Sequence, residues 1–294
     1  MSTHPAGLTP PAEPHLSQPV SFVRRGSRLQ GRRRQAWAEL DGFVVGVPRS
    51  SMADTSVDPG YRFDAAAEFG RDAPLVVEVG SGLGEALTHA AELQPDLNFL
   101  ALEVYKPGLA QTLLRIEQKG LTNVRVAQAN AAEALATMLP EGSVSELWVF
   151  FPDPWHKTRH RKRRLVKNDF VDLAARVLAP GGRWRLATDW SDYAVQMRDV
   201  LDTSEAFTNA HDGERTGADS PLTQVWESGV ELVVGGAPVR KGKDPVSTGN
   251  TGVNEGVDAR GGWAPRFDGR ILTSFENKAH EAGRMIFDLT FRRL

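Results

Sequence analysis

The chain has 294 residues, of which 40% are apolar and 24% charged, and a formal net charge of −2. That composition fits a globular protein with a sizeable core and excludes a wholly disordered one. No stretch approaches the roughly 18 apolar residues of a membrane-spanning helix, and five prolines among the first 20 residues argue against a signal peptide. The lack of cysteine excludes disulfides, a thiol nucleophile, iron–sulfur clusters and cysteine zinc sites, and accords with a cytoplasmic location.

In chain order, residues 1–20 are rich in Pro, Ser and His and are expected to form a disordered tail. Residues 21–60 read as a basic N-terminal extension of partial order, with Arg24, Arg25, Arg28, Arg32, Arg33 and Arg34 clustered and no acid among them. Residues 61–294 read as a single domain. Leu75–Val79 predicts a strand, Glu85–Leu93 a helix ended by Pro95, Asn98–Val104 a second strand, and Gly108–Lys119 a helix capped by Gly120. A third strand at Val124–Gln128 precedes a helix around Ala131–Met138, and Val144–Phe151 predicts a fourth strand. Asp169–Leu178 predicts a helix stopped at Pro180-Gly181-Gly182, followed by a strand at Arg183–Thr188 and a helix around Tyr193–Leu201. Residues 229–269 read as a flexible Gly-rich insertion, because 235–269 hold nine of the 28 glycines and little apolar content. Met285–Phe291 alternates as a final strand, expected to be antiparallel at the end of the sheet. Strands alternating with helices at this spacing predict an α/β fold with a doubly wound, mainly parallel sheet.

Net charge hides a division. Lys157, Arg159, Arg161, Lys162, Arg163, Arg164 and Lys167 form a second acid-free cluster; the windows 24–34 and 157–167 together carry +13, and the remaining 272 residues carry −15. An acidic body with two basic patches points to a polyanionic partner.

Two segments carry chemistry. Gly80, Gly82 and Gly84 follow the first strand and precede the first helix, spaced G-x-G-x-G rather than the dinucleotide-binding G-x-G-x-x-G, and the position of the third glycine in the latter is Glu85. An acid there would repel a pyrophosphate and tolerate a ligand without phosphates. Glu103 ends the second strand, where an acid accepts hydrogen bonds from ribose hydroxyls. The pattern resembles the first two motifs of Rossmann-like (class I) S-adenosylmethionine-dependent methyltransferases. Phe150-Phe-Pro-Asp-Pro-Trp-His-Lys157 lies at the end of the fourth strand, beside the expected reversal of strand order. Its two prolines fix where Asp153 and Trp155 point. A rigid acid beside an indole suits a flat aromatic base, although Trp155 fits core packing equally well.

That segment, continued by Arg159, His160, Lys162, Arg163 and Arg164, strongly resembles the signature of bacterial tRNA (guanine-N7)-methyltransferases, the TrmB family. Ser21–Arg25, Asn98–Val104 with Pro107-Gly108, Ala187-Thr-Asp-Trp190 and Thr273-Ser-Phe-Glu276 agree with it, so the resemblance covers about residues 21–228 and 270–294. It implies S-adenosylmethionine as cofactor, bound by Glu78, Glu103, Asn130 and Asp153 with the glycine loop. It implies substrate contacts from Lys157, Asp189, Thr273, Ser274, Phe275 and Glu276, and tRNA contacts from Arg159, Arg161, Lys162, Arg163 and Arg164. The implied product is N7-methylated guanine 46 of the tRNA variable loop. Asn130 stands where the family has Asp, and Ser274 where it has Lys. No metal site is expected, since His156 and His160 lie among cations without a carboxylate cluster. Guanine N7 offers an in-plane lone pair, so the transfer needs no general base; Asp153, then Asp189, is the candidate to face the charge that develops on the base. An S-adenosylmethionine-dependent methyltransferase acting on another RNA base, a non-catalytic RNA-binding protein and a nucleotide-dependent oxidoreductase stay as alternatives, and the oligomeric state, monomer or homodimer, is left open.

Overall fold

A computed structural model describes residues 28–223 and 257–294. The tail at 1–20, Arg24 and Arg25, and most of the expected insertion lie outside the described residues. The sheet has seven strands: β1 (Leu75–Val79), β2 (Asn98–Glu103), β3 (Val124–Gln128), β4 (Val144–Phe150), β5 (Leu178–Thr188), β6 (Phe207–Asn209) and β7 (Phe287–Arg293). Their order is β3-β2-β1-β4-β5-β7-β6. The first five are parallel, and β7 runs antiparallel to both β5 and β6. The helices are α1 (Gly31–Glu39), α2 (Ala65–Phe69), α3 (Glu85–Leu93), α4 (Lys106–Lys119), α5 (Ala131–Glu133), α6 (Asn168–Val177), α7 (Ser191–Asp202) and α8 (Ser274–Glu281). The helix expected after β3 is α5 for its first turn and a π-turn over Ala134–Met138 thereafter.

A parallel sheet must bury both faces, because its crossover helices return over them. The β1 sequence Leu-Val-Val-Glu-Val obeys this, with all five residues buried. Leu75, Val77, Val79, Leu147, Val149, Trp184 and Leu186 pack on one face with residues of α6 and α7. Val76, Phe99, Ala101, Val126, Trp148 and Phe150 pack on the other with α3 and α4. The order reverses between β1 and β4, so their carboxyl ends open a crevice there.

Four expectations change. The final strand is antiparallel but not terminal: three-residue β6, too short for a periodicity signal, pairs outside it. Strand β5 starts at Leu178 rather than Arg183 and carries Pro180-Gly181-Gly182 within it, beside a register shift between Val144 and Glu146 of β4. Residues 28–60 are not a separate extension. Helix α1 packs on α4, with Arg33 bonded to Gln111 at 3.1 Å and Lys106 over the Trp37 ring, while Val45 donates to the Val126 carbonyl and lengthens the sheet beyond β3.

The fourth change concerns residues 257–269, which are packed structure. Trp263 is fully buried against Phe287, and Ala264 bridges to Asp288. Asp258 holds this segment: it accepts from Arg198 of α7 at 3.0 Å, Ser220 at 2.8 Å and Trp263 Nε1 at 2.7 Å, while its own N–H donates to Thr223 at 2.8 Å. Glycine content suggested a loop, but a buried ion pair with a helix 60 residues away decides its order. Asp258→Ala leaves Arg198 buried without its carboxylate, a loss of about 3–5 kcal/mol. Urea denaturation of the two proteins checks this; a change near zero would mean the segment is not held by that pair.

Candidate active site at the carboxyl edge of the sheet

The turn after β1 is built on left-handed backbone: φ is +73° at Gly80, +57° at Gly82 and +71° at Gly84. A Cβ on Gly84 would lie 2.4 Å from Thr112 Oγ1, so that glycine seats the turn on α4, whereas a Cβ on Gly80 would meet open space. The Glu103 carboxylate, at the end of β2, locks the turn. One oxygen accepts from Gly82 N–H at 2.9 Å, the other from the N–H groups of Val104 and Tyr105 at 2.7 and 2.9 Å. Beside it, Glu78 is buried within β1 and its Oε2 has no hydrogen-bond partner among the described residues. Burial first, then the neighbouring Glu103 charge, pushes the Glu78 carboxyl up to about 8. Asp153 adds its charge to the burial that raises Glu103. Three carboxyls from β1, β2 and β4 thus converge on the crevice, an arrangement completed by a cation and by donor hydroxyls. S-adenosylmethionine, with a sulfonium, an ammonium and a ribose, matches that donor demand.

Glu85 does not act as expected. Its carboxylate accepts from both the N–H and the hydroxyl of Ser274 at 2.8 Å, and from Arg115 at 3.2 Å. It ties the start of α3 to the start of α8, and Ser274, standing where a lysine was expected, is the other half of the tie. Asn130 also differs. Its Oδ1 accepts from Ala132 and Glu133 N–H at 3.0 and 3.4 Å, capping α5, so the oxygen expected to meet the adenine amine is already engaged. Sequence patterns gave no sign of the wall beside it. Arg49 donates to the carbonyls of Gln128 and Ser56, Val57 N–H donates to Glu133, and Asn130 N–H reaches the Thr55 carbonyl.

At the end of β4 the backbone is strained. Phe151 and Trp155 have φ of +51° and +43°, in the left-handed region that side chains other than glycine enter rarely. Such residues cost about 1–3 kcal/mol each and persist only where their surroundings impose them. Between them Pro152, Asp153 and Pro154 form a rigid span, with Asp153 exposed and its carboxyl raised by partial burial. Phe151 N–H donates to the Ala187 carbonyl, and the Arg270 guanidinium lies against the Phe150 and Phe151 rings. Trp155 packs between Arg163, 5.0 Å from its ring, and His160.

Of the expected substrate residues, Phe275 is exposed over the glycine turn, 3.9 Å from where a Gly82 Cβ would be. Thr273 caps α8 by accepting from Glu276 N–H. Asp189 accepts from Arg284 at 2.8 Å. Glu276 is fully buried, gripping Arg266 and Arg270, so it organises α8 and does not face a substrate. Burial would raise its carboxyl, but the two arginines hold it below the usual range.

The basic segment Thr158–Arg163 forms a short 3-10 turn. Lys157, Arg159 and Lys162 are exposed. Arg161 pairs with Asp192 at 3.3 Å. Arg164 departs from its expected role as an RNA contact: its side chain is only 1% exposed and its donors are directed inward.

A seven-stranded Rossmann-like sheet, a glycine turn, an acid within β1 and an acid ending β2 define a class I S-adenosylmethionine-dependent methyltransferase. A family described as "Putative methyltransferase" matches residues 72–231. A tRNA (guanine-N(7)-)-methyltransferase of Paenarthrobacter aurescens is 68% identical over 277 residues, 94% of this chain and 92% of that protein. One from Bifidobacterium longum subsp. infantis is 39% identical over 96% of this chain and 91% of that protein. The chain belongs to the bacterial tRNA (guanine-N7)-methyltransferase family. Likeness to solved structures is looser: the Thermus thermophilus TrmN has a TM-score of 0.40 at 22% identity, covering 50% of this chain and 42% of that one. The 16S rRNA methyltransferase KamB has 0.44 at 18%, covering 79% and 94%. Among the described residues no helix is long and apolar enough to cross a membrane.

Glu78 gives a pH prediction. With a folded value of about 8 against an ordinary 4.5, the folded state keeps a proton that the unfolded chain releases. The carboxyl therefore contributes stability that is complete at low pH and lost as pH rises through about 8. Without cofactor, Glu78→Gln should gain melting temperature relative to wild type as pH climbs, the gain levelling off above about 8. Parallel curves would show that Glu78 ionises at its ordinary value.

Proposed function

We propose that this enzyme transfers the methyl group of S-adenosylmethionine to N7 of a guanine in tRNA, with guanine 46 of the variable loop as the target. The observation that carries this reading is the strained turn at the end of β4. It sets Asp153 beside the Glu78–Glu103 pair and leads directly into the exposed basic turn, so a cation-seeking crevice and a polyanion-binding surface share one loop. The activity for which its relatives are named supports the substrate.

When bound, S-adenosylmethionine supplies a methyl group made electrophilic by its sulfonium. Glu78 and Glu103 would hold its ammonium and hydroxyl groups, Gly80 and Gly82 would leave room for its close approach, and Asn130 would offer its amide from the β3 side. N7 carries no proton, so no side chain removes one; the protein's task is in-line placement. Asp153 faces the base and gains attraction as the ring becomes cationic. Phe275, Thr273 and Asp189 line the base side, with Asp189 oriented by Arg284. Lys157, Arg159 and Lys162 meet phosphates, and Trp155 with Arg163 offers a flat stack to RNA. A cytoplasmic location accords with this substrate.

Two experiments test the reading. Methyl-labelled cofactor with unmodified tRNA should label one guanine at N7 in the variable loop, and Asp153→Ala should cut the rate by about 100-fold or more with tRNA binding retained. Label on another base, or an Asp153→Ala rate near wild type, overturns the assignment. Replacing Lys157, Arg159 and Lys162 with Ala should lower the slope of log affinity against log salt by about 0.7–0.9 for each phosphate no longer neutralised. An unchanged slope would mark this turn as a solvated surface.

A further inference from the structure

Arg164 closes the basic turn at its base. Its Nε donates to the Pro154 carbonyl at 2.8 Å, its Nη1 to Gln196 Oε1 at 2.7 Å, and its Nη2 to Asp192. The guanidinium lies 4.7 Å from the centre of the Tyr193 ring. Asp192, Tyr193 and Gln196 occupy the first turns of α7, and two of them also grip the chain just beyond Arg164. Tyr193 Oη accepts from Val166 N–H, and Gln196 Nε2 donates to the Val166 carbonyl. The segment 155–163 is thus a loop whose two ends are cross-linked by one side chain.

The carbonyl taken by Arg164 is that of the peptide joining Pro154 to Trp155. A peptide is planar, so fixing its oxygen fixes the plane that sets φ of Trp155, the strained +43°. Proline locks the other rotation at position 154. The fork of donors reaches a carbonyl, an amide and a carboxylate at once, which a lysine ammonium on a flexible stem cannot reproduce. Asp192 receives Arg161 as well, so the turn that meets RNA shares a carboxylate with the clamp.

We propose that Arg164 is a positioning residue for methyl transfer: buried beneath the basic turn, it holds the Pro154–Trp155 peptide so that Asp153 and Trp155 keep the orientation the reaction uses. This rests on the reading that Asp153 serves the reaction. Arg164 acts through Asp153 and touches neither cofactor nor RNA.

The test is Arg164→Lys in the full chain, with transcribed tRNA and labelled cofactor. The turnover number at saturating substrates should fall by about 100-fold, as expected for a displaced reacting group. The salt slope of tRNA binding should stay at its wild-type value. In an Asp153→Ala background the same substitution should add little further loss, because two residues acting through one geometry are not additive. Should Arg164→Lys fail to fold, Gln196→Ala removes one acceptor of the guanidinium and keeps its carboxylate partner, and should lower turnover by about tenfold in a protein that still melts cooperatively. A salt slope reduced by about 0.7–0.9 with normal turnover would make Arg164 a phosphate contact and overturn the proposal. Full additivity with Asp153→Ala would overturn it too. Wild-type enzyme that does not methylate tRNA guanine would instead fail the functional reading, so the two failures are separable.

Discussion

Arg270 is fully buried, and its guanidinium is the point where the carboxyl edge of the sheet is joined to the C-terminal part of the chain. It bonds both oxygens of Glu276 from α8 and both of Asp288 from β7, and lies against the rings of Phe150 and Phe151 at the end of β4. Its charge also reaches Glu78, partly offsetting the burial that raises that carboxyl. A guanidinium removed from water is tolerable only when paired and fully hydrogen-bonded. Removing any partner would strand charge in a dry interior. Four elements are therefore committed to one arrangement, and the start of α8 with Phe275 is carried over the glycine turn as a consequence.

The two strained residues of the β4 turn are each secured by a buried arginine. Phe151 is extended from the sheet by its bond to Ala187 and backed by Arg270; the peptide before Trp155 is fixed by Arg164. Left-handed backbone at bulky residues does not persist unsupported. Imposing it at both ends of Pro-Asp-Pro fixes the course of the chain at Asp153, and this links the packing of α7 and α8 to the crevice.

Electrostatics divide along the same loop. Glu78, Glu103 and Asp153 gather where burial makes ionisation costly, so a cationic ligand relieves what the protein leaves unbalanced. A few residues further on, Lys157, Arg159 and Lys162 stand in water, where they attract a polyanion without desolvation.

Local pattern in the chain determined much of this. The bounds of β1, α3 and β3, the glycine turn and the Pro-Asp-Pro span follow from apolar period, glycine placement and the locked φ of proline, all of which act within a few residues. The placement of Glu103 at the end of β2 and of Asp153 just after β4 was legible because strand ends of a sheet of this order open onto the crevice. Tertiary structure alone decided what side chains with free choice of partner would do. Arg164 looked like one more cation in a basic run until α7 offered it Asp192 and Gln196; Glu276 looked like a substrate contact until Arg266 and Arg270 enclosed it. Asn130 turned its oxygen to a helix cap, Glu85 found Ser274 from 189 positions away, and Asp258 gave order to a glycine-rich stretch by meeting Arg198. A charged side chain has no period and no preferred neighbour along the chain; its role is set by whichever opposite charge the completed fold brings within reach.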